Sequence, residues 1–373
     1  MTRVLHVIDR TCDETALQVL NTLRCRLGGD GGSQRACCID AESLRRAPLQ
    51  LSGPIVAAPR RLGRCVNWVP LLPRLARDCG AEVLHAWGSE AAAAACSARL
   101  PDIPLVITLL DPQTTPDAAR WMGALPTRAT VVAGSQVIRS RLVAAGAASD
   151  RVVVVRGPVD FGAVNQARRD GLRAKVVGEA GPVLLFSGPA SREGGHYFAL
   201  WGAAILQKIM PNLTVILPYD SAERRRLVRF AGRIDAPSLV TLPDPRLTWA
   251  ELVTCADAFV MPAAGEVCTE PLGMAMGAGL VVVGVAVRSV AEIIADRSNG
   301  LLCKNGEPRV LASRVLTALE DGPLRQRVTE TARGQAYEVF GVRAFLDNYR
   351  RVYENVLAGR PPAQDVHDTA MIA

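Results

Sequence analysis

Short, continuously apolar runs alternate with longer mixed segments along almost the whole chain. Runs such as residues 4–8 and 281–283 contain no polar side chain apart from His6, which is typical of parallel strands covered on both faces. A loop and a helix-length segment follow most runs before the next run begins. This alternation predicts two α/β domains, each built on a parallel sheet.

The pattern also predicts where individual elements lie. Ser135 is the predicted N-cap of the helix after residues 130–133. The segment after Asp160, up to about Lys175, is predicted to be a linker. We predict strands at 4–8, 35–39, 83–88, 105–110, 130–133, 151–155, 183–186, 213–217, 240–242, 258–261 and 281–283, and helices at 15–27, 89–100, 196–209, 221–231, 249–255, 271–278, 307–320, 323–339 and 342–357.

Composition narrows the function classes. The chain has 373 residues, of which 49% are apolar, and no run of 18 apolar residues, so we expect no membrane span. Its first residues read directly as a strand, so we expect no signal peptide. The ten cysteines include no C-x-x-C pair, which favours reduced thiols and a cytoplasmic location. The four histidines are scattered, which disfavours a zinc site.

The net charge of +7 fits an anionic partner, and a solubilising arginine surface is an equal alternative. Residues 59–64 form a basic stretch near Trp68 that could contact an acceptor or an anionic membrane at its inner face. The favoured interpretation of that stretch is a solvated loop that leads into a helix. Because no basic stripe is interleaved with aromatic residues, we expect no nucleic-acid partner.

The most informative stretch runs from residue 258 to residue 284. It predicts a strand, a loop that carries Glu266 and Glu270, a small-residue helix opened by Pro271, and a second strand. Open α/β sheets bind ligands at the carboxyl ends of their strands, and a helix amino end suits a phosphate. Thr269 is the predicted N-cap of this helix.

This stretch resembles the donor-binding region of the retaining glycosyltransferases of family 4, which have the GT-B fold. The family pattern has a glutamate, then Gly-Phe-Gly, then a second glutamate eight positions after the first, at the start of a helix of small residues. Glu266 matches the first glutamate, and residues 275–279 match the helix. The second glutamate falls on Met274, and the Gly-Phe-Gly falls on residues 267–269.

Further matches extend the resemblance over nearly the whole ordered chain. Val159 and Asp160 match the family motif that ends the first domain. Residues 290–294 match the Pro-Glu-Ile-Ile helix with Ala291 in place of proline, and residues 299–302 match the turn and strand that follow. The resemblance implies a GT-B fold, in which two Rossmann-like, doubly wound parallel-sheet domains face a cleft.

The implied domain organisation has four parts. Residues 1–168 would form an N-terminal Rossmann-like domain on the acceptor side, and residues 169–340 a C-terminal Rossmann-like domain that binds the nucleotide-sugar donor. Residues 341–358 would form a helix that returns to the first domain. Residues 359–373 are a polar, proline-containing tail that we predict to be disordered.

The first domain keeps only part of the family's motifs. The family has a Gly-Gly loop that lets the backbone approach the donor phosphate, whereas residues 11–14 here contain no glycine. The family's His-x-His corresponds to His85 and Trp87. The resemblance implies that His85 is catalytic and that Trp87 stacks on a sugar or base. The alternatives are that His85 is a satisfied structural residue and that Trp87 only packs.

In the second domain, the family has an arginine and a lysine that clamp the donor diphosphate. Ser187 and Gly188 match the start of that segment, but Pro189 and Gly194 stand where the two cations should be. Arg192 lies between them and is the candidate substitute. Losing two cations is costly, since hydrogen bonds to charged groups contribute about 1.5–3 kcal/mol each.

The resemblance also implies roles in the loop before the small-residue helix. Glu266 would hold sugar hydroxyls or lie near the anomeric carbon, and the backbone amides of Val267, Cys268 and Thr269 would face the donor. Glu270 would bind the ribose hydroxyls, provided that the helix has begun early enough for it to share a face with Met274. We expect no metal and no cofactor, so N–H groups and cations must stabilise the leaving diphosphate.

Two function classes therefore remain open. The first is a metal-independent retaining glycosyltransferase that moves a sugar from a nucleoside diphosphate sugar to a glycan, lipid or small-molecule acceptor. The second is a catalytically inactive homologue that acts as a binding or scaffold protein, because so many donor-site residues are replaced. The position of Arg192 relative to the missing cations would discriminate between them.

Overall fold

The chain folds into two compact units. Unit 1 comprises Met1–Pro158 and Val342–Ala373, and unit 2 comprises Val159–Gly341. Residues 363–373, most of the predicted disordered tail, lie outside the described residues, as does the basic stretch 59–64. A computed structural model describes residues 2–10, 12, 14–28, 33–39, 55–57, 71–98, 100–112, 118–178, 181–187, 194–218 and 222–362.

Each unit is built on one parallel sheet. The sheet of unit 1 has the strand order β3-β2-β1-β4-β5-β6-β7, and the sheet of unit 2 has the order β10-β9-β8-β11-β12-β13. The strands are β1 Val4–Ile8, β2 Gln34–Cys38, β3 Ile55–Ala57, β4 Val83–Trp87, β5 Leu105–Leu109, β6 Thr130–Ala133, β7 Val152–Val154, β8 Val183–Phe186, β9 Thr214–Ile216, β10 Val240–Thr241, β11 Ala258–Met261, β12 Val281–Val285 and β13 Leu301–Cys303.

Helices connect these strands and cover the sheets. They are α1 Glu14–Leu27, α2 Leu72–Asp78, α3 Ser89–Ala98, α4 Ala119–Met122, α5 Gln136–Ala144, α6 Phe161–Asp170, α7 Arg173–Val177, α8 His196–Gln207, α9 Ala222–Arg233, α10 Trp249–Val253, α11 Glu270–Gly277, α12 Arg288–Ala291, α13 Pro308–Glu320, α14 Gly322–Phe340 and α15 Val342–Leu357. The two doubly wound parallel sheets confirm the predicted fold class.

The strand order reverses once in each sheet, between β1 and β4 in unit 1 and between β8 and β11 in unit 2. Both pairs are parallel and in direct contact. The carboxyl ends of such a pair flank the position at which doubly wound sheets bind ligands. The fold therefore defines one candidate position in each unit.

Most predicted elements are confirmed to within a few residues, and the N-cap role of Ser135 is confirmed by the hydrogen bond that its Oγ accepts from the Ile138 amide. The predicted linker after Asp160 is wrong, because this segment forms α6 and α7. The Asp160 carboxylate caps α6 by accepting a hydrogen bond from the Ala163 amide at 3.1 Å. Two short elements were not predicted, namely β3 and α4, whereas α2 is the helix expected after the basic stretch.

The C-terminal helix α15 packs on unit 1, as predicted. Its buried side chains, which include Phe345, Tyr349 and Tyr353, recur at intervals of three and four residues and so form one face. They belong to the same hydrophobic cluster as Val4 and Leu20, which lie in β1 and α1. The last helix of the chain therefore completes the hydrophobic core of unit 1, which contains the first strand and the first helix.

A buried polar network ties α15 to the sheet. The Nδ1 atom of His85 lies 2.8 Å from the Tyr353 hydroxyl, and its Nε2 atom lies 2.8 Å from Thr108 Oγ1. Thr108 Oγ1 is in turn 3.0 Å from the Tyr349 hydroxyl. Buried polar groups are costly unless they are paired. These four side chains satisfy one another and fix the position of the helix.

Trp87 and His6 form the second part of this network. The Trp87 indole N–H donates to His6 Nδ1 at 3.0 Å, and His6 Nε2 lies 2.8 Å from Gln34 Oε1. Because an indole can only donate, His6 must accept at Nδ1 and carry its proton on Nε2. Burial lowers the pKa of His6 to about 3 and holds the pKa of His85 well below its usual value. Both imidazoles are therefore neutral at pH 7.

Helix α11 packs closely on its neighbours because it is made of small residues. A Cβ atom on Gly273 would lie 2.5 Å from the Phe340 ring, and one on Gly277 would overlap the Phe161 ring. Phe161 itself packs on Tyr337 with the ring centroids 4.2 Å apart. The glycines thus let α11 approach α14 and α6.

We predict that Gly273→Ala destabilises unit 2. An alanine in a helix normally stabilises it by about 1 kcal/mol relative to glycine, but overpacking against Phe340 costs about 1–3 kcal/mol, so a net loss is expected. Denaturant unfolding measures it. The control is Gly334→Ala on α14, which is exposed with no atom within 4 Å of its added Cβ and should gain stability. Equal effects of the two changes would contradict the packing described.

We also predict that acid weakens unit 1 through His6. Above pH 6.5 this histidine is neutral in both the folded and the unfolded chain. Below pH 6.5 it becomes protonated in the unfolded chain, whereas in the folded chain buried His6 stays neutral down to about pH 3. As the pH is lowered from 6.5 towards 3, the free energy of unfolding should therefore decrease by up to about 1.4 kcal/mol per pH unit because of this histidine.

The measurement is denaturant unfolding at a series of pH values between 7 and 4. The comparison variant is His6→Gln, whose amide can still accept from Trp87 and donate to Gln34. All other groups titrate alike in both proteins. The slope of the unfolding free energy against pH should therefore be smaller in the variant by the equivalent of about one proton. An unchanged slope would show that His6 is not the group responsible.

Candidate functional site

Two loops meet the carboxyl edge of the unit 2 sheet where its strand order reverses, one after β8 and one after β11. The first loop begins at Ser187, which is 7% exposed and whose amide donates to the Val260 carbonyl at 2.9 Å. The predicted site residues Gly188 and Arg192 belong to this loop but lie outside the described residues. The structure therefore places Ser187 at the candidate position and leaves the predictions for the other two as they stand.

The first loop returns to the sheet at Gly195. This residue has φ +77°, and a Cβ atom on it would overlap the Pro262 carbonyl oxygen, so glycine is required for both reasons. The next residue, His196, opens α8, and its Nε2 atom lies 2.8 Å from the Ser187 carbonyl. The amino end of α8 is thereby held against the end of β11. N–H groups at such a helix end favour an anion.

The second loop carries Glu266, which is anchored by the start of α12. The Ser289 amide donates to Glu266 Oε2 at 2.8 Å, and the Val267 amide donates to Ser289 Oγ at 3.0 Å. Ser289 itself is 0% exposed. This reciprocal pair fixes both the carboxylate and the following peptide. The Val267 amide, which we predicted to face the donor, instead donates its hydrogen bond to Ser289 within the protein.

The rest of the loop leads into α11. Cys268 is partly exposed, and Thr269 is 3% exposed. Thr269 precedes the helix as predicted, but its side chain makes no capping hydrogen bond, so that part of the prediction is wrong. The physical reason is its backbone (φ −104°, ψ −3°), because a capping side chain needs extended backbone geometry at that residue.

Glu270 is the first residue of α11, so it and Met274 lie one turn apart on the same face. Both are partly exposed. The helix therefore begins early enough for Glu270 to share a face with Met274, as the predicted role of Glu270 requires. Its role in binding a ribose stays a prediction.

The other two predicted residues lie at the corresponding edge of unit 1. His85 is 0% exposed and Trp87 is 1% exposed. Both ring nitrogens of His85 and the indole nitrogen of Trp87 are bonded to side chains of the unit 1 core. These contacts favour the structural alternative for both residues. A catalytic role for His85 and stacking by Trp87 stay predictions without support from these contacts.

Sequence reasoning missed two residues at these edges. Ser289 could have been found as a serine beside the amino end of a predicted helix. Asp9 directly follows β1 and is 0% exposed, and its Oδ2 atom accepts a hydrogen bond from the Ala91 amide in the first turn of α3 at 2.6 Å. A carboxylate right after a buried strand is the signal that points to such a cap.

Several general properties of the described residues bear on the site. They contain no group of three or more His, Cys, Asp or Glu residues placed to hold a metal ion. None of the helices in the described ranges is long and apolar enough to span a membrane. The described cysteines are free thiols, and most of them are buried.

Comparison with known proteins identifies part of the chain. Residues 177–335, which contain Ser187, Glu266 and Ser289, match the family Glycosyl transferases group 1. The curated N-acetyl-alpha-D-glucosaminyl L-malate synthase from Bacillus anthracis is 29% identical over 108 residues, which cover 29% of this chain and 28% of that protein. The chain thus matches under a third of that relative's length.

Solved structures match the fold of almost the whole chain. A glycosyltransferase from Rickettsia africae ESF-5 has a TM-score of 0.82 at 12% identity, with 95% of this chain and 98% of that chain covered. HepE from Anabaena in complex with UDP has a TM-score of 0.79 at 17% identity, with 95% and 100% covered. At such identities the likeness shows the fold alone. The chain therefore has the fold of GT-B glycosyltransferases, and its residues 177–335 match the family Glycosyl transferases group 1.

Proposed function

We propose that this protein is a glycosyltransferase that moves a sugar from a nucleoside diphosphate sugar to an acceptor, with retention at the anomeric carbon and without a bound metal. The observation that carries the proposal is the anchored carboxylate of Glu266. It lies at the strand-order reversal of the domain that matches Glycosyl transferases group 1 and stands where the resembling family has its first glutamate. HepE was solved with UDP and with UDP-glucose, so a uridine diphosphate sugar is the first donor to test.

Glu266 can serve the donor sugar because its two oxygens differ. Oε2 accepts from the Ser289 amide, whereas Oε1 makes no hydrogen bond to any other described residue, and the side chain is partly exposed. An oxygen that is oriented but uncommitted is suited to accept a hydrogen bond from a sugar hydroxyl. A preorganised acceptor costs no reorganisation when the donor binds.

The leaving diphosphate would bind across the first loop. The amino end of α8, fixed by Gly195, offers backbone N–H groups, and Arg192 supplies the cation in place of the missing arginine and lysine. Glu270 would bind the ribose hydroxyls from the first turn of α11. The acceptor, whether a glycan, a lipid or a small molecule, stays open in this proposal.

A second candidate function is that of a catalytically inactive homologue that binds a partner. Specific observations favour it. Gly194 and Met274 carry no charge where the family has a lysine and a glutamate, and His85 is buried with both ring nitrogens engaged. A chain with this composition would keep the fold while losing turnover.

We expect calorimetric titration to detect micromolar binding of one nucleotide sugar among UDP, GDP, ADP and their common sugar conjugates. Glu266→Gln should weaken that binding about tenfold, because it removes the charge and keeps the shape and the Ser289 contact. The control is Glu338→Gln on the exposed side of α14, which should bind as wild type does. Absence of binding to all the nucleotides would overturn the proposal in favour of the inactive homologue.

Ser289→Ala tests whether the anchoring matters for binding. The change deprives the Val267 amide of its acceptor, so the free energy of unfolding should fall by about 1 kcal/mol. Because the loop that carries Glu266 is then less fixed, affinity for the donor should fall several-fold. Ser313→Ala, at an exposed position of α13, is the control for both measurements. A loss of stability with unchanged donor affinity would make Ser289 a purely structural residue.

A further inference from the structure

Helix α8 carries an apolar stripe that no described residue covers. Phe198 is 55% exposed and Trp201 is 49% exposed, and Ile209, just past the end of the helix, is 62% exposed. Together with the partly buried Ile205, these residues follow one another at steps of three, four and four, so they lie along one side of the helix. The opposite side of α8 is already packed in the core of unit 2. Folding therefore does not account for the stripe.

The helix beside this stripe is cationic on its exposed side. Tyr197 of α8 packs on Phe230 of α9 with the ring centroids 5.2 Å apart, so the two helices lie side by side. Arg225, Arg229 and Arg233 of α9 are exposed, and none of them forms an ion pair or a side-chain hydrogen bond with another described residue. The apolar stripe is thus flanked by a row of positive charges that the fold leaves uncompensated.

A second copy of this chain is a poor occupant of such a surface. In a two-fold symmetric contact the same face meets itself, which would bring two rows of arginines together. An acidic protein would match the charge, but a stable protein interface buries about 800 Å² on each partner with close shape complementarity. Three protruding apolar side chains offer little of that.

An anionic bilayer fits the same features without that difficulty. Helices that lie on membranes insert tryptophan, phenylalanine and aliphatic side chains at the boundary between headgroups and acyl chains, while flanking basic residues contact lipid phosphates. Each basic residue adds attraction to an anionic leaflet, and the chain's net charge of +7 acts in the same direction.

We propose that the docking face, defined as Phe198, Trp201 and Ile209 with Arg225 and Arg229, binds the surface of an anionic phospholipid bilayer. The apolar side chains enter the headgroup region, and the two guanidinium groups bind lipid phosphates. The side chains of the docking face are not among those that hold or anchor Glu266, although Phe198 lies in the first turn of α8. Because vesicle binding is measured without donor or acceptor, the proposal is tested independently of the proposed transfer reaction.

The first test is flotation of the full chain with vesicles of phosphatidylcholine alone or mixed with phosphatidylglycerol. Wild type should float with the mixed vesicles at low ionic strength, and binding should weaken as salt screens the charges. The double change Phe198→Ser and Trp201→Ser should lower the partition coefficient at least about tenfold. Leu357→Ser, which removes a similarly exposed apolar side chain from α15, should have no effect. Thermal unfolding of each variant checks that the fold is kept.

The second test separates the position of the charges from their number. Arg225→Gln with Arg229→Gln should lower binding to the mixed vesicles about tenfold. The matched control is Arg325→Gln with Arg327→Gln, which removes the same net charge from exposed positions of α14 that are not part of the docking face and should change binding little.

Three outcomes would overturn the proposal. The first is failure of wild type to float with phosphatidylglycerol vesicles at low salt. The second is binding that the changes in the docking face leave as strong as that of the controls. The third is sedimentation that shows self-association of wild type and its loss in the Phe198→Ser and Trp201→Ser variant, since a second copy would then occupy the face.

Discussion

The amino ends of helices at the carboxyl edge of each sheet impose the constraint on which the rest of this structure depends. The first N–H groups of a helix have no partner within it, and next to a buried sheet they cannot all reach water. In unit 1, Asp9 after β1 accepts from the first turn of α3, which follows the neighbouring strand β4. In unit 2, Glu266 after β11 accepts from the start of α12, which follows the neighbouring strand β12.

In both units a carboxylate that follows one strand thus caps the helix that follows the neighbouring strand. The carboxylate of Asp9 is buried, and that of Glu266 is partly exposed. Asp9 is fully buried, so its carboxylate stabilises the start of α3 and is not exposed to a ligand. Glu266 keeps one oxygen clear of other described residues while Ser289 holds the second, so an interaction that stabilises the loop also orients a charge towards solvent. This explains how the loop can keep a defined acceptor although Val267, Cys268 and Thr269 stand where the resembling family has Gly-Phe-Gly.

Much of the fold could be predicted from the sequence because strands buried on both faces are continuously apolar and leave little ambiguity. The failures have local causes. Strand β3 has only three residues, and the predicted linker at α6 follows from treating Asp160 only as part of a family motif, although its carboxylate caps the helix. The three residues of β3 are too few to give a periodic signal, whereas the apolar residues Phe161, Val164 and Ala167 of α6 recur at steps of three and could have indicated a helix.

The candidate site could be predicted less well because its contacts are not local. The partner of Glu266 lies 23 residues away in the chain, and the partner of His85 on α15 lies 268 residues away. Spacing indicated that His85 ends a strand near a ligand position, but only the tertiary structure shows that Tyr353 and Thr108 occupy both of its nitrogens. Likewise, the failure of Thr269 to cap α11 follows from two backbone angles that its side-chain type does not determine.

Helix α8 joins these arguments, because two different constraints act on it and both leave its outer face free. Its inner face must fill the core of unit 2, and its amino end must approach Pro262 closely enough to require Gly195. Neither constraint reaches the outer face, where a polar residue would serve folding as well as Phe198 or Trp201. Large apolar side chains on a surface that packing does not explain mark an interaction site. The uncompensated arginines of α9 beside them indicate the charge of what binds there.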